Sequence, residues 1–241
     1  MTGSGRSPAA LRGVSGVEGG AGSTCQPVDT EPVDTEPVVV AAFDFDGTLT
    51  RSDTVVDFLY RACGRRRVVT ALGRALAAER TTGRQSRRAS ARRDRIKERV
   101  SLDLLSGRPA AELQAIGAAF AADIQRSRLR PHMVARLEGH KTAGHSVVVV
   151  SASYSFYLKP LGEALGLDAV LCTTVEVDGD GICTGRLEGG NCRGAEKVAR
   201  LEAWADGRPF ELHAYGDSAG DAELLSSADV ATWVKRSRKA R

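Results

Sequence analysis

The stretch Val38-Val39-Val40-Ala41-Ala42-Phe43-Asp44-Phe45-Asp46-Gly47-Thr48-Leu49-Thr50 decides how this chain is read. Its first six residues are an apolar run rich in β-branched side chains, without the in-out alternation of a half-solvated strand. A run of that kind suits a strand buried on both faces of a parallel sheet. The chemistry then changes abruptly, with two aspartates and a glycine inside four residues. Strand alternation would put Asp44 and Asp46 on one side. At a fraying strand end both can turn toward the mouth of the sheet, and Gly47 permits the sharp turn that carries the chain away.

Two more runs repeat the pattern of an apolar strand ending in small or acidic residues: Ser146 to Ser153 (SVVVVSAS) and Leu212 to Ser218 (LHAYGDS). Between the first two strands the sequence reads mostly as helix. Leu113, Ile116, Phe120 and Ile124 follow the three- and four-residue spacing of one helix face. Gly64, Gly83 and the Gly107–Pro109 stretch mark expected breaks. Beyond the second strand, Tyr157–Leu165 reads as helix, a hairpin is expected around Asp178–Gly181, and another helix near Ala195–Ala205. Strands alternating with helices imply an α/β fold with a parallel sheet and crossover connections, in which ligands bind beyond the carboxyl ends of the strands. The expected organisation is a disordered tail over 1–37, a core over 38–51 and 130–234, a helical insert over 52–129, and a basic tail over 235–241. Residues 1–37 are rich in Gly, Ser and Pro and contain the near-repeat PVDTE-PVDTE from Pro27 to Glu36, too little apolar surface to offset the entropy of ordering.

With 241 residues, 42% of them hydrophobic, the chain can bury one full core and a smaller accessory unit. Five cysteines without CxxC or Cys/His ligand spacing argue against a disulfide framework or a zinc site, and read as reduced thiols. A basic segment followed by an apolar stretch is absent from the N-terminus, and no apolar run has the length of a membrane span, so a cytoplasmic protein is expected. The net charge of +4 hides an asymmetry: Arg51–Arg108 holds sixteen Arg and Lys against six Asp and Glu, or +10. Such a block attracts anionic partners without choosing among them, and solvated helix faces also account for charge runs. No zinc-finger or aromatic-rich RNA-binding signature accompanies it, and no nucleic-acid partner is expected. The four histidines have no metal-ligand spacing, and Trp204 and Trp233 read as packing residues.

Taken singly, the polar residues at the strand ends have ordinary explanations: turn or cap aspartates, a strand-end serine, an exposed helix lysine. Taken together they suit phosphoryl transfer. A phosphate monoester dianion repels a carboxylate nucleophile, so a site that uses one must add cations and hydrogen-bond donors. Two neighbouring carboxylates whose environments separate their pKa values can divide the work, one as nucleophile and one as acid and base.

The Phe43–Thr50 string resembles the first motif of haloacid dehalogenase phosphatases, and three further segments fit that family in the same order. Ser151 stands at the place of its phosphate-binding Ser or Thr, Lys197 in Gly194-Ala195-Glu196-Lys197 at the place of its lysine, and Tyr215–Asp221 (YGDSAGD) resembles its acidic metal-binding motif. The resemblance covers roughly 38–234. It implies a Rossmann-like parallel sheet with an inserted helical cap, Asp44 as a nucleophile that is transiently phosphorylated, and Asp46 as general acid and then base. It further implies Mg²⁺ held by Asp44, Asp217 and the backbone carbonyl of Asp46 with Asp221 in support, Lys197 neutralising Asp44 and the phosphoryl oxygens, and Ser151 donating to phosphate. Dehalogenases of this superfamily lack the second aspartate, so Asp46 points away from dehalogenation.

The insert's position, the hairpin and NCRGAEKVARL resemble the phosphoserine phosphatase branch of the family. DGTLTRSDT, SAS and CRGAEK are also similar to bacterial phosphatidylglycerophosphate phosphatases. Asp53 stands where a phosphoserine phosphatase carries an amine-reading glutamate, Gly220 where an asparagine is common, and Ala152 where a glycine follows the motif-two serine. The substrate implied is a small phosphorylated alcohol such as phosphoserine, or a phospholipid head-group phosphate. Val68–Ala78 reads as a buried cap helix which, with Arg65, Arg66 and Arg67, could instead rest on an anionic membrane. Two rivals are a phosphomutase of the same fold and a non-catalytic protein that uses its basic cap to hold anions or lipid.

Overall fold

The structure is a computed structural model that describes residues 38–81 and 89–235. The expected tail over 1–37, the Gly83 break and the basic end from 236 lie outside the described residues. Six strands, β1 (Val38–Phe43), β2 (Ser146–Tyr154), β3 (Ala169–Val177), β4 (Cys183–Glu188), β5 (Phe210–Gly216) and β6 (Val230–Trp233), form one sheet in the order β4-β3-β2-β1-β5-β6. Every pairing is parallel except β3 with β4, the expected hairpin. The apolar run around Ala41 is therefore the centre of the sheet, with Ala42 paired to Val148 on one side and Ala214 on the other. Central placement explains its composition. Ala41 and Phe43 face one hydrophobic core, Val40 and Ala42 face a second, and a polar side chain on either face would be stranded without water.

Among the described residues, four helices separate β1 from β2 before the last connecting helix: α1 (Val55–Cys63), α2 (Arg65–Thr81), α3 (Ala89–Leu105) and α4 (Ala110–Ser127), followed by α5 (Pro131–Thr142). Two of the three expected breaks fall between α1 and α2 at Gly64, and between α3 and α4 at Gly107–Pro109. Leu113, Phe120 and Ile124 of α4 are buried as their spacing predicts, and Ile116 packs against them. α6 (Ser155–Ala164), α7 (Ala195–Ala205) and α8 (Ala222–Ser226) complete the chain.

Aromatic rings fasten the helical insert to the sheet. Phe58 of α1 lies 5.1 Å from Tyr157 of α6 and 6.0 Å from Tyr154 of β2, and Phe120 of α4 lies 5.3 Å from Tyr157. All four are buried, and each contributes roughly 1.5–3 kcal/mol by burial. The two chain segments that join insert to core are also tied together, Arg130 N donating to Leu49 O at 2.8 Å.

Part of the insert's positive charge is paired within the insert. Arg95 forks onto Glu79 at 3.1 and 2.7 Å, Arg61 meets Asp123 at 2.5 Å, Arg108 meets Glu112 at 2.5 Å, and Arg65 stacks on Tyr60. Hydrogen bonding by Arg95 holds the Glu79 carboxyl below its usual range. Within α2, Val68, Ala71 and Ala75 are buried while Val69 and Leu76 are exposed, so the expected buried helix has one buried face.

One expectation needs correction. Trp233 is not a packing residue: it stands 57% exposed on β6, an edge strand, while Trp204 packs against the second core. Three of the four histidines cluster: His140 Nδ1 and His145 Nδ1 are 2.8 Å apart, His140 Nε2 is 2.8 Å from the Tyr215 hydroxyl, and His213 packs edge-on to both rings. Burial and the neighbouring histidines lower His140 to about 4, leaving it neutral at physiological pH. No described helix is long and apolar enough to cross a membrane.

Candidate active site

The site grows from the carboxyl end of β1. Asp44 stays extended, its N–H donating to Tyr215 O at 2.8 Å as though the strand continued toward β5. The chain then coils through Phe45–Leu49, where Asp46 and Gly47 leave helical geometry. Gly47 has φ of +89°, and a Cβ there would sit 2.1 Å from Asp217 Oδ2. That position demands glycine for its backbone and for the closeness of the second acidic loop. Arg130, almost wholly buried, donates to Gly47 O at 2.8 Å and to Lys235 O at 2.7 Å, fixing the turn from behind.

Asp44 and Asp46 point to different partners. Lys197 Nζ lies 2.6 Å from Asp44 Oδ1 and 2.6 Å from Asp221 Oδ1, an ion triad whose members are almost fully buried. Burial works against the charge of Lys197, but the two carboxylates hold its pKa above the ordinary lysine value. Burial, helped by Asp221 and Asp217, raises Asp44 to about 6 in spite of the lysine. Asp221 is also pushed up by burial, yet Lys197 and the Ser218 hydrogen bonds prevail and its carboxyl is lowered. Its second oxygen accepts from Ser218 N at 2.9 Å, Ser218 Oγ at 2.8 Å and Asp217 N at 3.2 Å, which makes it the staple of the Asp217–Asp221 loop.

The Asp46 carboxylate is held on both sides instead. Oδ1 accepts from Thr54 N at 2.9 Å and Thr54 Oγ1 at 2.8 Å, and Oδ2 accepts from Ser153 Oγ at 2.6 Å. The Tyr157 hydroxyl lies 3.0 Å from Thr54 Oγ1 and extends the chain into the aromatic cluster. Burial first, then Asp53, raises Asp46 to about 7. Its proton affinity is thus placed where a group can give up a proton and take it back near neutrality.

Asp44, Asp46, Asp53, Lys197 and Asp221 line one cavity of about 350 Å³, together with Arg193 and Ser218. Asp217 joins through the carboxylates: one oxygen from each of Asp44, Asp217 and Asp221 lies within 4.8 Å of the others. Three hard oxygen donors held beside a single ammonium suit a divalent cation such as Mg²⁺, so the residues present fit the metal. Ser151 is buried and off the cavity wall, its Oγ accepting from Ser153 N at 3.1 Å, with Ala152 taking the place on the wall. Asp53 is exposed, and its Oδ1 accepts from Val55 N at 2.9 Å. Gly220 has a use of its own: a Cβ there would come within 2.8 Å of Arg193 Nε, so the missing side chain leaves room for that guanidinium beside the cavity. Sequence reasoning passed over Thr54, Ser153, Arg130 and Arg193. Only Ser153, two residues past the motif-two serine, and Arg193, four before Lys197, carried a positional hint.

A mostly parallel, Rossmann-like sheet with an acidic, lysine-bearing cavity at its carboxyl edge is the architecture the site stands on, and comparison with known proteins places it further. The model of the haloacid dehalogenase-like hydrolases matches residues 41–226, and the chain belongs to that family. Protein CicA of Caulobacter vibrioides is 34% identical over 197 residues, covering 79% of this chain and 83% of that protein. A phosphoserine phosphatase of a Polaromonas species is 27% identical over 198 residues, covering 78% of this chain and 75% of that one. The solved structure of a substrate-bound phosphoserine phosphatase superposes with a TM-score of 0.57 at 23% identity, covering 84% of this chain and 95% of that chain, which shows the shared fold.

Proposed function

We propose that this phosphatase is a magnesium-dependent phosphomonoesterase working through an aspartyl phosphate on Asp44. The observation that carries the reading is the buried triad in which one ammonium, 2.6 Å from each carboxylate, holds Asp44 and Asp221. A surface lysine or a structural ion pair has no need of a cavity; this one opens on about 350 Å³. Asp44, Asp217 and Asp221, with the Asp46 backbone carbonyl, would hold Mg²⁺, which when bound supplies positive charge to the phosphoryl oxygens and the nucleophile.

Asp44, fixed by Lys197, attacks phosphorus in line. Protonated Asp46, raised to about 7, passes its proton to the departing alkoxide. The resulting Asp46 carboxylate then removes a proton from water, whose oxygen attacks the aspartyl phosphate, releasing phosphate and regenerating Asp44. Lys197 neutralises charge on the transferred group. Residues 52–129 act as the cap that selects the leaving group, a small phosphorylated alcohol such as phosphoserine or a phospholipid head-group phosphate. Contact with an anionic membrane would use Arg65, Arg66 and Arg67, the last two lining, with Arg74, an open hollow of about 310 Å³ on the insert.

Asp44→Asn tests the mechanism. The variant should keep the wild-type circular dichroism spectrum while magnesium-dependent phosphate release falls by roughly three orders of magnitude or more. Full activity in a folded variant sinks the mechanism, and an isomerised product in place of free phosphate makes the protein a mutase.

A further inference from the structure

The catalytic cavity does not end at the phosphate. A second hollow of about 230 Å³ adjoins it, and the two share Asp53, Val55, Arg93 and Ala152 as common wall. The far side is hydrocarbon: Val56 and Leu59 from α1, Leu72 from α2, Ile96 and Val100 from α3. Three helices of the insert thus turn apolar side chains toward a space that begins where a phosphate ester's leaving group would emerge.

Two of the polar groups in the hollow, Lys97 and Asn191, already have partners. Lys97 is committed to the core, donating to Asn191 Oδ1 at 2.7 Å and to Ala152 O, with its ammonium 4.6 Å from the Tyr154 ring centre. Asn191 in turn donates to Asp94 at 2.7 Å. Asp53, the one carboxylate at the junction, already accepts from Val55 N. An ammonium placed here would meet Lys97 and Arg93 and would displace water from apolar walls without replacing its hydrogen bonds.

We infer that the substrate is the phosphomonoester of an alcohol with a hydrocarbon body, which fills the hollow between α1, α2 and α3, and that phosphoserine is a poor substrate. The inference rests on the phosphomonoesterase reading and names its substrate class. Burial of the chain in that hollow adds to transition-state binding in proportion to apolar area, while the phosphoryl group stays on Asp44 and its partners.

The test uses the full chain with magnesium and measures phosphate release from ethyl, butyl and hexyl phosphate, phosphoserine and acetyl phosphate. The expected kcat/KM rises by about fourfold per methylene, hence about sixteenfold from ethyl to butyl. Phosphoserine should fall below butyl phosphate. In Ile96→Ser, and separately in Leu72→Ser, the butyl-to-ethyl ratio should collapse toward one; a ratio within one preparation is insensitive to how much of the variant is folded. Dodecyl phosphate distinguishes the sources of such a chain. A continued rise marks a lipid phosphate and a drop marks a small soluble ester, and both retain the apolar seat. A flat series in an enzyme that turns over ethyl or acetyl phosphate, or preference for phosphoserine over butyl phosphate, overturns the inference while leaving the phosphatase reading intact. Absence of magnesium-dependent turnover on every ester overturns both.

Discussion

Replacing Lys197 by Met should separate what the buried triad does for the fold from what it does for chemistry. The side chain is 2% exposed and bonds Asp44 and Asp221 at 2.6 Å each, so the variant leaves two buried carboxylates without their cation. Losing one partner of a buried pair costs about 3–5 kcal/mol, because the remaining charge has no compensation. For a domain of this size each kcal/mol lowers Tm by about 2–4 °C, so a loss of about 6–20 °C is expected near neutral pH. The pH dependence has a definite sign. Asp221, whose carboxyl is lowered in the folded protein, contributes stability above the ordinary carboxylate range that is lost as pH falls through its depressed value. Asp44 takes up its proton from about pH 6 downward. Protonation of Asp44 leaves one unpaired charge fewer on acidification, so the gap between wild type and variant should be widest at pH 8 and narrower at pH 5, while the share of Asp221 is lost only below the ordinary carboxylate range. Magnesium should raise the variant's Tm, since the folded state binds it and the unfolded state does not. Thermal denaturation by circular dichroism at the two pH values, with and without the metal, reads all of this. A Tm loss below about 2 °C at pH 8, or a gap that does not change with pH, would refute the account of the triad.

Asp46→Asn should spare phosphate binding and slow both chemical steps, with partial rescue of the first step by a substrate whose leaving group needs no proton; equal losses for good and poor leaving groups remove the acid role. In the wild type, turnover of alkyl phosphates should decline above about pH 7 as Asp46 loses its proton. Gly47→Ala forces a side chain into positive φ and toward Asp217, costing about 1–2 kcal/mol by the backbone alone. Its magnesium affinity, read by calorimetry, should fall about 10- to 100-fold, and unchanged affinity would detach Asp217 from the metal. Neutralising Arg65, Arg66 and Arg67 should abolish co-sedimentation with acidic vesicles at low salt if the insert meets a membrane, and absence of wild-type binding at low salt ends that reading.

The sequence by itself determined the local parts of this protein. A central strand must be apolar on both faces, so β1 and β2 announced themselves, and the four motif segments were legible because each sits at a strand end or a helix start within a few residues. Asp178–Gly181 marked its hairpin and Gly64 its helix break for the same reason, since turn chemistry is local. β6 escaped notice: an edge strand of four mostly exposed residues carries no periodic signal. What only the tertiary structure decided depends on residues far apart in sequence. Lys197 reaches Asp44 across 153 positions and Ser153 reaches Asp46 across 107, so the separation of the two carboxylates into a lysine-bound and a hydroxyl-bound member could not be read from Asp-Phe-Asp alone. His140, His145 and His213 became neighbours through the pairing of strands, and Arg130 found the Gly47 carbonyl through the crossing of the two connecting segments. The hollow beside the site is of the same kind. Its walls come from three helices whose apolar residues look like ordinary core in sequence, and only their packing leaves a space between them, because a sequence records which side chains avoid water but not where their packing is incomplete.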